Sequence, residues 1–104
     1  MANPLRGEVA LVLDGERRVC KLTLGALAEL EDHLQADSLA VLVDRFESGS
    51  LRARDVLLLI SAGLRGGGWS GDLSDLLQAE IEGGPLEAAR VAARMLALAF
   101  RPPQ

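Results

Sequence analysis

The stretch that decides the fold is Arg6–Leu34, RGEVALVLDGERRVCKLTLGALAELEDHL. Glu8 to Leu13 (EVALVL) is rich in β-formers, and Asp14-Gly15 follows it. That pair is a strong hairpin signal, because both central positions of a type I′ turn need positive φ. Glu16 to Thr23 (ERRVCKLT) then returns as the second strand. A two-residue loop sets Glu8 opposite Lys21, a favourable cross-strand pair. The same register sets Leu11 opposite Arg18, a poorer match. A lone hairpin is marginal in water, so this one must lie on helices or join another chain's sheet. Thr23 is placed to cap a helix from Leu24 to about Gln35. Ala26, Leu27, Leu30 and Leu34 share its apolar face, and Glu29, Glu31, Asp32 and Gln35 point away.

Four more helices are expected downstream. Ser38 can cap Leu39 to Ser48, where Leu39, Leu42, Val43 and Phe46 fall at i, i+3, i+4 and i+7, a buried stripe. Val41 falls on the opposite, polar side. Gly49 sits where a C′ glycine ends a helix. The next helix, about Arg52 to Arg65, is apolar around its whole circumference at Val56–Ile60 and so should be central. Gly66-Gly67-Gly68 breaks it. Asp72 can cap a short helix with Leu73, Leu76, Leu77 and Ile81 inward, and Gly83-Gly84 ends that one. Pro85 opens the last helix at a favoured first position. The expected fold class is α+β: an N-terminal β-hairpin followed by about five short α-helices. All of this forms a single small domain over residues 6–101, with short tails at 1–5 and 102–104.

Composition narrows the function classes. A chain of 104 residues that is 49% apolar suits one domain with one core. Aromatics are limited to Phe46, Trp69 and Phe100, so that core must be built from Leu, Val and Ala. The formal charge is −4 and the pI about 4.9. The basic residues are scattered among more numerous acids and form no run that would neutralise phosphates. Nucleic acid is therefore not an expected partner. Cys20 is the single cysteine and fits a reduced, cytoplasmic setting. Met1–Leu5 has no apolar signal-peptide core, and no apolar run approaches the ~20 residues that cross a bilayer, so no membrane association is expected.

No reactive constellation emerges. His33 is the single histidine and lacks converging metal ligands. Gly68-Trp69-Ser70-Gly71-Asp72 lacks the last glycine and the preceding strand of a nucleophile elbow. Gly66–Gly68 ends a helix rather than opening one, so it reads as a helix stop and bend, not a phosphate cradle. A helix-turn-helix reading of Leu39–Arg65 would present Val56–Ile60 to the bases, where polar side chains are needed. No catalytic, cofactor or metal site is expected, and the protein is expected not to be an enzyme.

The RGEV opening, the apolar strand and DG turn, the block LTLGALAELE and the block AGLRGGGW (Ala62–Trp69) together resemble a known family. These are the tail assembly proteins of bacterial gene transfer agents, prophage-derived particles related to phage tails. The resemblance spans Arg6 to the last helix. It implies a tail assembly chaperone that coats the long helical tape-measure protein until tail-tube subunits displace it. The family is also described as tail-tube proteins, so a structural role in the particle is the alternative. A small DNA-binding regulator is a more remote one.

The residues suggest where a partner would sit. The last helix confines Glu87, Arg90, Arg94 and Arg101 to one strip and is otherwise apolar, a wider arc than one-sided packing needs. Val91, Met95 and Leu98 on one flank, with Val41 as an isolated outlier, are the candidate partner-binding residues. The competing reading, a core hub or a homodimer seam, carries slightly more weight. The hairpin edge is a second expected route, by strand addition.

Overall fold

The computed structural model describes residues 2–34 and 38–100. A single 3₁₀ turn, Pro4–Arg6, leads into β1 (Glu8–Leu13) and β2 (Glu16–Lys21). Five helices follow: α1 (Leu24–Leu34), α2 (Leu39–Glu47), α3 (Ala53–Gly66), α4 (Leu73–Gln78) and α5 (Gly84–Ala99). The α+β reading holds. The expected end of α1 at Gln35, and Arg101 with the 102–104 tail, lie outside the described residues.

The hairpin forms in the expected register, from Glu8↔Lys21 to Leu13↔Glu16. Asp14 and Gly15 take φ of 51° and 81°, as a type I′ turn requires. Val9, Leu11, Leu13 and Cys20 line the inner face and are buried. The awkward Leu11↔Arg18 pair is resolved by snorkelling. The Arg18 stem lies on the inner face with its Nε buried and unpartnered among the described residues, while Nη2 reaches Glu16 Oε2 at 3.2 Å.

The helix starts are capped as their sequences imply. Thr23 Oγ1 accepts from the Ala26 N–H at 3.0 Å, and Ser38 Oγ from Val41 N–H at 3.3 Å. Asp72 and Asp75 exchange two bonds, Asp75 N–H to Asp72 Oδ1 and Asp72 N–H to Asp75 Oδ2. The start of α3 is fastened differently. Asp55, buried, accepts from the Arg52 N–H at 2.9 Å and from Arg45 Nη1 at 3.1 Å. The ion pair ties α2 to α3, and its carboxylate is desolvated only because two donors satisfy it.

Helix α3 is the hub. Residues 58–64 are buried without interruption, and the helix packs on β2, α1, α5 and α4. Its C-terminal glycines make this possible. A Cβ at Gly66 would collide with the Lys21 carbonyl oxygen, one at Gly67 with the Val19 carbonyl oxygen, and one at Gly63 with Met95 Sδ. The block read as a bend is thus first a contact: bare helix backbone lies against β2. The stop itself follows, with Trp69 N–H bonding to Leu64 O at 2.9 Å and Gly68 N–H to Arg65 O at 3.0 Å, a Schellman pattern.

Gly67→Ala is expected to cost about 2–3 kcal/mol, as overpacking against immovable backbone does. Gly67 has ordinary φ (−87°), so the cost is steric. Gly25→Ala, where a Cβ meets only Thr23 Oγ1 at 3.9 Å, should unfold at or above the wild-type denaturant midpoint. Urea titration of both variants checks the contrast.

Candidate partner-binding site

Two helical stripes converge beside the hub. Ala53, Val56, Leu57 and Ile60 recur along α3 at i, i+3, i+4 and i+7. Pro85, Ala88 and Ala89 recur at i, i+3 and i+4 at the start of α5. The α5 side chains are small, so the helices leave an open groove of about 350 Å³ between them. Leu76 of α4 and Ile81 just after it close one side, and Leu51 completes the lining. Every lining side chain is apolar. The volume lies near the lower end of ligand cavities, roughly 300–1,000 Å³, room for a few aliphatic side chains. Val56 and Leu57 are half-buried, so one flank of the N-terminal half of α3 faces this groove instead of the core.

Two of the four residues expected to meet a partner lie inside the fold. Val91 and Met95 are 0% and 1% exposed, packed into the core with Ala92 and Leu96. Met95 points at Gly63 of α3, beside Cys20 of β2. The wide apolar arc of α5 is explained by α3, the hairpin and α2 covering it from several directions. Leu98 is partly buried against the core, and Val41 is 38% exposed on α2. Of the four candidates, those two keep appreciable accessible area.

The hairpin edges are also engaged. Glu82 N–H bonds to Val12 O and Asp14 N–H to Glu80 O, so residues 80–82 lie along β1 near the turn, with Leu13 bridging to Ile81. On the other side, Gly66 and Gly67 abut the β2 carbonyls. The edge expected for strand addition is thus partly occupied by this chain itself, at Val12–Asp14 of β1 and at Val19 and Lys21 of β2.

The remaining candidates settle into structural places. His33 Nδ1 lies 2.9 Å from the Glu29 carbonyl oxygen on the exposed side of α1. Burial pushes the Cys20 thiol up to about 12, so it stays protonated at neutral pH. Among the described residues no three His, Cys, Asp or Glu side chains come together as metal ligands would. None of the described helices is long and apolar enough to cross a membrane. Helix α3 is enclosed at its centre and does not present a face to a DNA groove. Sequence reasoning missed the groove, although its signal was there. The 53/56/57/60 stripe faces a stripe of Pro and Ala, and small residues leave space.

The family described as phage tail tube protein, GTA-gp10, matches residues 6–102. No curated protein and no solved structure matches the chain.

Met95→Asp should abolish cooperative folding, whereas Val41→Asp should leave the thermal midpoint within about 4 °C, since an exposed substitution costs under about 0.5 kcal/mol. Circular dichroism melts separate the two. Cys20 should resist alkylation at pH 8 in the native protein and react completely in denaturant; mass spectrometry counts the adducts.

Proposed function

The chain belongs to the phage tail tube protein family GTA-gp10, and on that footing we propose that it acts by non-covalent contact with other tail proteins. An apolar helix face of one of them seats in the α3–α4–α5 groove. The observation that carries this reading is the all-apolar lining of a groove open to solvent. A helical partner presents anchors at i, i+3, i+4 and i+7, which matches a trough running between two helices. Burial of each leucine contributes roughly 1.5–3 kcal/mol. The work is non-catalytic: the groove offers no polar group to a reacting atom, Cys20 is held protonated inside the core, and His33 lies against a main-chain carbonyl.

Two roles fit such contacts. The family description favours a structural component that stays in the tail. A second reading, an assembly chaperone for the tape-measure protein, is favoured by the sheet. It has two strands, and both edges are partly engaged within the chain. Quantifying the protein in purified particles separates the roles: a fixed stoichiometry supports the structural component, and loss on particle maturation supports the chaperone.

The shared claim is tested by Ala89→Glu, a groove-lining position on α5 that is partly exposed. Co-expressed tape-measure and tail-tube segments should be captured at least tenfold less well than by wild type. An unpaired carboxylate buried against an apolar face costs more than the ~1.4 kcal/mol that a tenfold loss represents. The thermal midpoint should hold. Capture of both segments at wild-type levels would remove the groove from the reading.

A further inference from the structure

We propose that residues 72–84 form a strap that gates the apolar groove, and that Asp14 at the hairpin turn is its latch. The gate goes beyond the functional reading above and does not depend on which tail protein fills the groove.

The strap supplies the movable wall. Leu76 and Ile81 belong to it, while the other lining residues come from α3, the residues just before it, and α5. Its attachment to the body is thin. Leu76 is the one fully buried side chain in the segment; Leu73, Ala79 and Ile81 are only partly buried against the core. Helix α4 has six residues, far fewer than a helix needs to stand alone in water. At the far end Gly83 and Gly84 take φ of 89° and 66° in succession. Two adjacent left-handed glycines absorb a change of chain direction at little steric cost. Helix α5 can therefore stay docked while the strap turns away from it.

Three hydrogen bonds hold the strap to β1 and the turn. Two are main-chain bonds, Asp14 N–H to Glu80 O at 2.8 Å and Glu82 N–H to Val12 O at 3.0 Å. The third is specific to a side chain: Glu80 N–H donates to Asp14 Oδ1 at 2.8 Å, across 66 positions of sequence. Asp14 thus does two jobs with one residue. Its φ of 51° makes the type I′ turn, and its carboxylate grips the strap. The grip is exposed, so it is open to competition from solvent or from a partner at the turn. Hairpin turn and groove become coupled surfaces: whatever engages Asp14 loosens the wall carrying Leu76 and Ile81.

The turn geometry permits a clean pair of variants. Asp14→Gly keeps the positive φ but removes the acceptor. Asp14→Asn keeps positive φ and the Oδ1 acceptor and removes only the charge. Hydrogen–deuterium exchange on the full chain should show residues 79–84 exchanging roughly five- to tenfold faster in Asp14→Gly, the effect of losing about one hydrogen bond. Asp14→Asn should match wild type, and so should the buried centre of α3 in both variants. The probe 1-anilinonaphthalene-8-sulfonate should bind several-fold more to Asp14→Gly, and Ala89→Leu, which fills the groove, should cancel that gain. Unchanged exchange at 79–84 in Asp14→Gly overturns the latch. So does acceleration spread equally through α3. Dye uptake that survives Ala89→Leu overturns the gating of this groove.

Discussion

The structure depends on a close approach of bare helix backbone to strand β2. Gly66 and Gly67 sit so near the Lys21 and Val19 carbonyls that no side chain fits between them. That contact fixes the direction in which α3 leaves the hairpin, and α3 sets the rest. Gly63, one turn earlier, admits Met95, so α5 closes on α3 at the same depth as Cys20 of β2. Glu29 of α1 reaches Arg65 at 3.2 Å, and Arg45 of α2 grips Asp55 at the other end of the same helix. Three small residues thus let one helix act as the floor for four other elements. The groove is the residue of this arrangement. Toward its C-terminus α3 is enclosed, and toward its N-terminus α5 meets it only with Pro and Ala.

The same contact covers part of the hairpin's edges. An unpaired strand edge invites pairing with another chain, and proteins cover such edges when pairing is unwanted. Here the end of α3 abuts the outer carbonyls of β2, and residues 80–82 add a short antiparallel bridge to β1. With both edges partly engaged, the accessible apolar area shifts from the sheet to the helices. This also explains why two strands suffice: the sheet need only present Val9, Leu11, Leu13 and Cys20 to the hub.

The legible parts of the fold were those governed by local chemistry. The Asp14-Gly15 turn fixes the strand register by itself. Thr23, Ser38 and Asp72 mark helix starts because each oxygen answers a nearby N–H. The α2 stripe around the buried Leu42 was readable from spacing alone, and Gly49 ends that helix as expected. What was not legible depended on which elements become neighbours. A helical wheel shows that α5 is apolar on most sides, but it does not show whether α3 or a foreign protein covers Val91 and Met95. Gly66–Gly68 looks like a stop from sequence, because the strand it touches lies 45 or more positions away. The groove belongs to two stripes on separate helices, each of which looks like core when read alone.

The size of the groove limits how it can be used. Each aliphatic anchor supplies roughly 1.5–3 kcal/mol, while association costs an estimated 4–15 kcal/mol in lost freedom before any ordering of side chains. On the proposed reading, one groove on one copy therefore holds a helix weakly and releases it readily. Strength must come from number. Many copies along one long helical partner, or around a repeating tail, convert weak contacts into avidity, because each further contact is made at high local concentration. Such an array also comes apart stepwise, as a competing subunit displaces one weak contact at a time. A deep, tight pocket would defeat that exchange, whereas a shallow apolar trough would permit it.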